Sequence, residues 1–144
     1  MDYRALDHSV NVLAYKKNNI NYAMTCAWSM HVDYDKIVCL LGSQSVTGKC
    51  LSKGDKVGFS SLKKEQKEIA NLIGDGHSDL VNKLNGVAYK NIDNAIVICG
   101  SRTECLCEVI DIIHLEGIEE DNLIYLKVLD CKENEGQFLH MSDY

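Results

Sequence analysis

The chain has 144 residues, a formal net charge of −6, 46% hydrophobic and 25% charged residues, seven cysteines and no proline. That is the size and balance of one globular domain, taken as residues 1–144, and a mildly acidic chain with scattered basic residues excludes nucleic acid and anionic membrane as main partners. No apolar run nears the ~20 residues of a membrane span, and the start MDYRALDHSV lacks the basic and apolar parts of a signal peptide, so a cytoplasmic location is expected.

In that compartment the cysteines are expected as free thiols, and their odd number leaves no complete disulfide framework. Cys105 and Cys107 fall on one face of a strand, but no second pair or nearby histidine completes a metal site, so no metal is expected.

Residues 9–15, SVNVLAY, alternate in polarity and run into the polar cluster KKNNIN; residues 21–29 then read as the second strand of a hairpin. Asp33 to Lys36 make a turn. The run KIVCLLG (36–42) has the pattern of a strand buried on both faces. SQSVTGK breaks the pattern, and a short helix is expected from about Val46, carrying Cys50 and Leu51 inward. VGFSSL (57–62) is the next strand. From Lys63 the period changes: Ile69, Leu72 and Ile73 share a helix face opposite the charges, and Gly74 ends it. GDGHSD is a loop, with a short helical turn over Asp79 to Leu84. NAIVICG (94–100), TECLCEVIDIIHL (103–115) and NLIYLKVLDC (122–131) are strands, the last two forming a long hairpin around EGIEED. The tail after Cys131 is polar, with Phe138 as an anchor. The sum is mainly β (α+β): six or seven antiparallel strands and two or three short helices, with no βαβ rhythm. Short antiparallel strands at this spacing point to a barrel, because closure removes exposed edges.

The stretch GSQSVTGKC superficially suggests a nucleotide-hydrolysing loop. That loop needs four residues before Gly-Lys and a hydroxyl after it, whereas five, Ser43 to Thr47, precede Gly48-Lys49, and Cys50 follows. What remains is three hydroxyls (Ser43, Ser45, Thr47) near a helix start, accessible amides around Gly42 and Gly48, and the Lys49 charge. Such a turn either holds a phosphate or simply caps the helix. No Gly-x-Ser-x-Gly elbow occurs, His8, His31, His77, His114 and His140 are scattered, and Glu119, Glu120 and Asp121 read as an exposed turn. No catalytic residue is assigned.

Asn21, Ala23, Met24, Thr25 and Trp28 are followed about twenty residues later by Ser45, Val46 and Thr47, then by Gly58, Phe59, Ser60 and Leu62, by Gln66, Ala70 and Gly74, and by Cys107 in CLCEV. This order, over roughly residues 9–131, resembles the flavin reductase-like family of FMN-binding split barrels, which includes flavoredoxins. The resemblance implies a split β-barrel that binds FMN. It also implies flavin reduction or flavoredoxin-type electron transfer with NAD(P)H or a redox protein, in a homodimer with the flavin near the subunit interface. It assigns Asn21, Ala23, Met24, Thr25, Cys26, Ala27 and Trp28 to the ring, Ser43, Ser45, Thr47 and Lys49 to the phosphate, and Ser60 and Ser61 to the ribityl side. Ser45 stands where arginine is common, Ser60 where the family has asparagine, and Asn122 where a histidine is often found. A non-catalytic FMN carrier, or a degenerate barrel binding another small molecule or a protein, are the alternatives.

Overall fold

The computed structural model describes residues 5–76, 78 and 82–144. His77 and residues 79–81, which include the start of the expected helical turn, lie outside the described residues. Among the described residues nine strands are present: β1 (Asn11–Lys17), β2 (Ile20–Cys26), β3 (Ser29–Asp33), β4 (Lys36–Leu41), β5 (Lys56–Ser61), β6 (Tyr89–Ile92), β7 (Ala95–Ile98), β8 (Thr103–Ile113) and β9 (Asn122–Glu133). Two α-helices join them, α1 (Val46–Lys49) and α2 (Lys67–Gly74). Among the described residues no helix is long and apolar enough to cross a membrane.

The sheet runs β3-β4-β9-β8-β5-β1-β7-β6, with β2 on β1, and neighbouring strands are antiparallel. It is a split barrel, not a closed one: β3 and β6 end the ladder, and β2 has a single strand neighbour. Full closure, expected as a way of removing edges, is therefore corrected.

Local chemistry explains the hairpins. Asn18 and Asn19 have φ of 53° and 63°, and Asp93 and Asn94 have 53° and 73°. Consecutive left-handed residues of this kind make the two-residue turns whose twist matches antiparallel strands, and Asn and Asp tolerate that backbone best. The second pair creates β6, which the sequence pattern did not show because Tyr89–Ile92 is exposed throughout.

The other extra strand comes from a break in the expected 21–29 strand. β2 stops at Cys26, and the corner is held by Asn11, whose Nδ2 donates to the Cys26 carbonyl (3.3 Å) and to Ser29 Oγ (2.8 Å). The chain then leaves β1 and pairs as β3 with β4. The burial of two strands also departs from expectation. β4 buries one face, Ile37, Cys39 and Leu41, while Lys36, Val38 and Leu40 are only half-buried. β1, expected to alternate, is buried from Asn11 to Tyr15 on both faces. The reason is position. β1 lies between β5 and β2 with α2 across its back, whereas β4 is next to the edge strand.

Two cores result. Leu13, Tyr15, Tyr22, Phe59, Cys107 and Leu126 fill the barrel interior. Val12, Ala14, Ala23, Ala70, Ile73 and Ile96 fill the layer between the outer face of β1 and β2, α2 and β7.

Candidate functional site

The segment after β4 forms a tight turn into α1. Ser45 N donates to the Gly42 carbonyl (2.9 Å), and Ser45 Oγ accepts from Gly48 N (3.1 Å), so Ser45 is the helix N-cap. Gly48 lets α1 lie against β4: a Cβ there would stand 3.0 Å from Leu41 Cβ. From below, Tyr15 Oη donates to the Thr47 carbonyl at 2.6 Å, with its ring stacked on Tyr22 at 5.1 Å. Burial raises the Tyr15 phenol well above its ordinary pKa, which keeps it a neutral donor.

The outer edge of β2 faces this turn. A strand with one neighbour presents unladdered N–H and C=O groups on its other side. Ala23 N donates to Ser78 Oγ (3.0 Å), and the Ala23 carbonyl accepts from Thr47 Oγ1 (3.3 Å) and Ser78 Oγ (3.2 Å). A hollow of about 480 Å³ opens here, lined by Met24, Ser43, Ser45, Thr47, Lys83 and Asp121 among others. It meets a second hollow of about 490 Å³, bounded by Thr25, Ala27 and Tyr144, at their common residue Gly74. Both hollows lie along β2, and each is in the size range of cofactor sites.

Two charged groups line the first hollow. Lys83 is 5% exposed, and among the described residues its Nζ has one close polar neighbour, the Met24 thioether at 3.9 Å. Burial lowers its pKa, and Asp75 opposes that shift. A buried ammonium that no carboxylate contacts is costly unless an anion arrives. Asp121 instead reaches the turn itself, its Oδ1 accepting from Ser43 N at 2.9 Å. It is half-buried rather than part of a free acidic turn, because the β8–β9 connection folds back over residue 43.

The structure thus brings together Ala23 (through its backbone), Met24, Ser43, Ser45 and Thr47, with Thr25 and Ala27 in the adjoining hollow. The Thr25 hydroxyl is turned to α2, donating to the Ala70 carbonyl at 2.7 Å. The other expected residues stand elsewhere. Asn21 is at the hairpin end opposite Lys16, and Lys49 is exposed and does not line the hollow. Cys26 points into the barrel, where Cys39 Sγ donates to it at 3.3 Å, because even and odd residues of β2 alternate between faces. Trp28 is 64% exposed, since it lies in the break between β2 and β3. Ser60 is wholly buried and accepts from Ile98 N (2.9 Å); Ser61 donates to Asn11 Oδ1 (2.7 Å). Lys83, Ser78 and Asp121 were not assigned from the sequence. They sit on connections, where no periodicity marks a residue, and only the fold gathers them.

No protein-family model matches the sequence, and a search of curated proteins gives no match. Solved structures do match. A putative oxidoreductase from Sinorhizobium meliloti superposes with a TM-score of 0.83 at 15% identity, over 94% of this chain and 47% of that one. This chain therefore spans about half of that protein's length. The NADH:FAD oxidoreductase of Streptomyces globisporus gives 0.79 at 16% identity, covering 90% of this chain and 77% of its own. Flavoredoxin from Methanosarcina acetivorans gives 0.80 at 10% identity, with 93% and 73% covered. The fold is the split barrel of flavin reductases. At these identities the likeness concerns the backbone, and the hollows along β2 are lined by this split barrel's own set of side chains.

Proposed function

We propose that this protein is a flavin-binding oxidoreductase that takes FMN in the hollows along β2. The observation that carries this reading is Lys83: a buried ammonium with no carboxylate in ion-pair contact among the described residues, lining one hollow with the turn from Ser43 to Thr47. A phosphate is the anion such a set suits, with charge from Lys83 and donors from the turn. Lys83 supplies the cation that is missing where Ser45 replaces arginine.

The ring would lie toward Met24, Gly74 and Ala27, with β2's edge offering backbone donors and acceptors to its polar rim. Bound flavin would supply the redox chemistry, accepting reducing equivalents and passing them on. The protein's part is to hold the phosphate with Lys83 and the turn, to keep the ring against the apolar wall, and to exclude water with α2. The superposing NADH:FAD oxidoreductase, also seen with NAD and FAD fragments, supports a flavin and a nicotinamide donor. A homodimer fits the row of exposed apolar side chains Trp28, Met30, Val32 and Tyr34 beside and along edge strand β3.

The test is titration of the purified protein with FMN, FAD and riboflavin, followed by flavin absorbance and quenching. FMN is expected to bind most tightly. Absence of binding by all three at roughly 50 μM, weak on the affinity scale, would overturn the proposal. Oxidation of NADH or NADPH by the loaded protein separates a reductase from an electron carrier.

A further inference from the structure

Cys105 on β8 and Cys131 on β9 are direct partners across the long hairpin. Opposite residues of an antiparallel pair stand about 4.5–5.5 Å apart at Cα, inside the roughly 4.4–6.8 Å that a disulfide spans. Their side chains meet: Cys105 Sγ lies 2.7 Å from Cys131 Sγ. The environment is asymmetric, with Cys105 buried and Cys131 exposed. Both border a hollow of about 460 Å³ at the end of the barrel near Asn11, Ser61 and Phe138, on a different surface from the β2 hollows. Cys26 and Cys39 also approach, at 3.3 Å, but both are sealed in the interior, and Cys107 faces Val128.

We propose that Cys105 and Cys131 are a redox-active dithiol that closes to a disulfide by exchange with small-molecule disulfides. The order of attack follows from exposure. Burial, then the hydrogen bond to Cys131, raises the Cys105 thiol well above its ordinary pKa, and burial pushes Cys107 to about 12, so neither starts the exchange. The Cys131 thiolate attacks one sulfur of the small disulfide, whose S–S bond breaks and releases one thiolate, leaving a mixed disulfide on Cys131. Cys105 then gives its proton to the released thiolate. Its sulfur attacks Cys131 Sγ, and the second small thiolate leaves and takes up the proton Cys131 had lost. Two cysteine thiols are oxidised, one small disulfide is reduced to two thiols, and excess small thiol reverses the sequence.

The experiment uses wild-type protein equilibrated with glutathione buffers from fully reduced to fully oxidised, then denatured, alkylated and mapped by mass spectrometry. Free thiols are expected to fall from seven to five, seven less the linked pair, with one link joining Cys105 and Cys131 and full recovery on reduction. Cys105→Ser should stop at a single glutathione adduct on Cys131, and Cys131→Ser should give neither link nor adduct. Seven thiols persisting in fully oxidised glutathione, a link between Cys26 and Cys39, or a Cys131–Cys131 dimer would each overturn the proposal. Because the readout is covalent mapping, it is independent of whether flavin binds.

Discussion

Where β7 crosses β5 the molecule is packed to contact; where the edge of β2 meets α1 it is open and polar. At the crossing, a Cβ on Gly58 would lie 1.8 Å from the Ile96 carbonyl oxygen, and Ser60, though wholly buried, has its hydroxyl taken by Ile98 N. At the hollow, Lys83 is almost as buried, yet its ammonium meets only a thioether among the described residues. Both regions hold buried polar side chains. The difference is that one set is satisfied within the fold and the other awaits something from outside, and it is the second kind that marks a binding site.

The largest effect should come from breaking the crossing. Gly58→Ala places a methyl group against backbone that cannot retreat without separating β5 from β7. Overpacking of this kind should cost on the order of 3 kcal/mol or more, read as a Tm lower by roughly 10 °C. A Tm within about 2 °C of wild type, under ~1 kcal/mol, would mean that the approach is looser than described.

Lys83→Met should act with opposite signs on binding and stability. Loss of a hydrogen bond to a charged acceptor, about 1.5–3 kcal/mol, weakens FMN roughly ten- to a hundredfold and leaves riboflavin, which has no phosphate, nearly unchanged. The ligand-free variant should be more stable, because the desolvation cost of a buried ammonium is gone. Its pH profile sharpens the point. The folded-state pKa of Lys83 lies below the ordinary lysine value of 10.5, so between the two the unfolded chain binds more protons. Wild-type stability should therefore rise with pH across that window, with the full penalty present below it. Denaturant unfolding at several pH values should show this contribution vanish in the variant.

Smaller effects are expected at the turn. The Thr47 hydroxyl is spent on the Ala23 carbonyl and Ser45 Oγ on Gly48 N, so Thr47→Val and Ser45→Ala should each cost about 1 kcal/mol of stability. Both flavins should then weaken alike. Selective loss of FMN in Thr47→Val would return that hydroxyl to the phosphate. The smallest effect belongs to Asp121, whose carboxylate already holds Ser43 N. Asp121→Asn removes a negative charge from the hollow and should tighten FMN severalfold, on the order of 1 kcal/mol, without changing riboflavin affinity. Parallel titrations of the two ligands measure it.

Much of the architecture was legible because it rests on local pattern. The Asn18-Asn19 turn, the switch to helical period after Lys63, and the long β8–β9 hairpin all follow from neighbours within a few residues, although α2 buries Ala70 and Ile73 and leaves Leu72, expected on the same face as Ile73, 51% exposed. The hydroxyl turn from Ser43 to Thr47 was legible too, since it interrupts a strand run with residues that cap a helix. Position in the sheet was not. KIVCLLG and SVNVLAY gave opposite impressions of burial because an apolar outer residue such as Val38 or Leu40 looks the same whether or not another layer covers it. Trp28 was drawn into the site by its place in a motif, but the strand breaks one residue before Ala27, and the side chain faces outward.

Residue types and spacing by themselves determined that this chain forms an antiparallel β domain with short helices, and where its hydroxyl-rich turn falls. Those outcomes depend on backbone preferences and on period, both of which act along the chain. Only the tertiary structure decided which charges meet that turn. Lys83 and Asp121 reach it from connections 36 and 74 residues beyond Thr47 (83 − 47 and 121 − 47). Their placement depends on how α2 and the β8–β9 hairpin pack, through contacts that carry no local signature. The same holds for Cys105 and Cys131. Their meeting is set by register in β8 and β9, and a one-residue slip would turn one of the sulfurs to the other face.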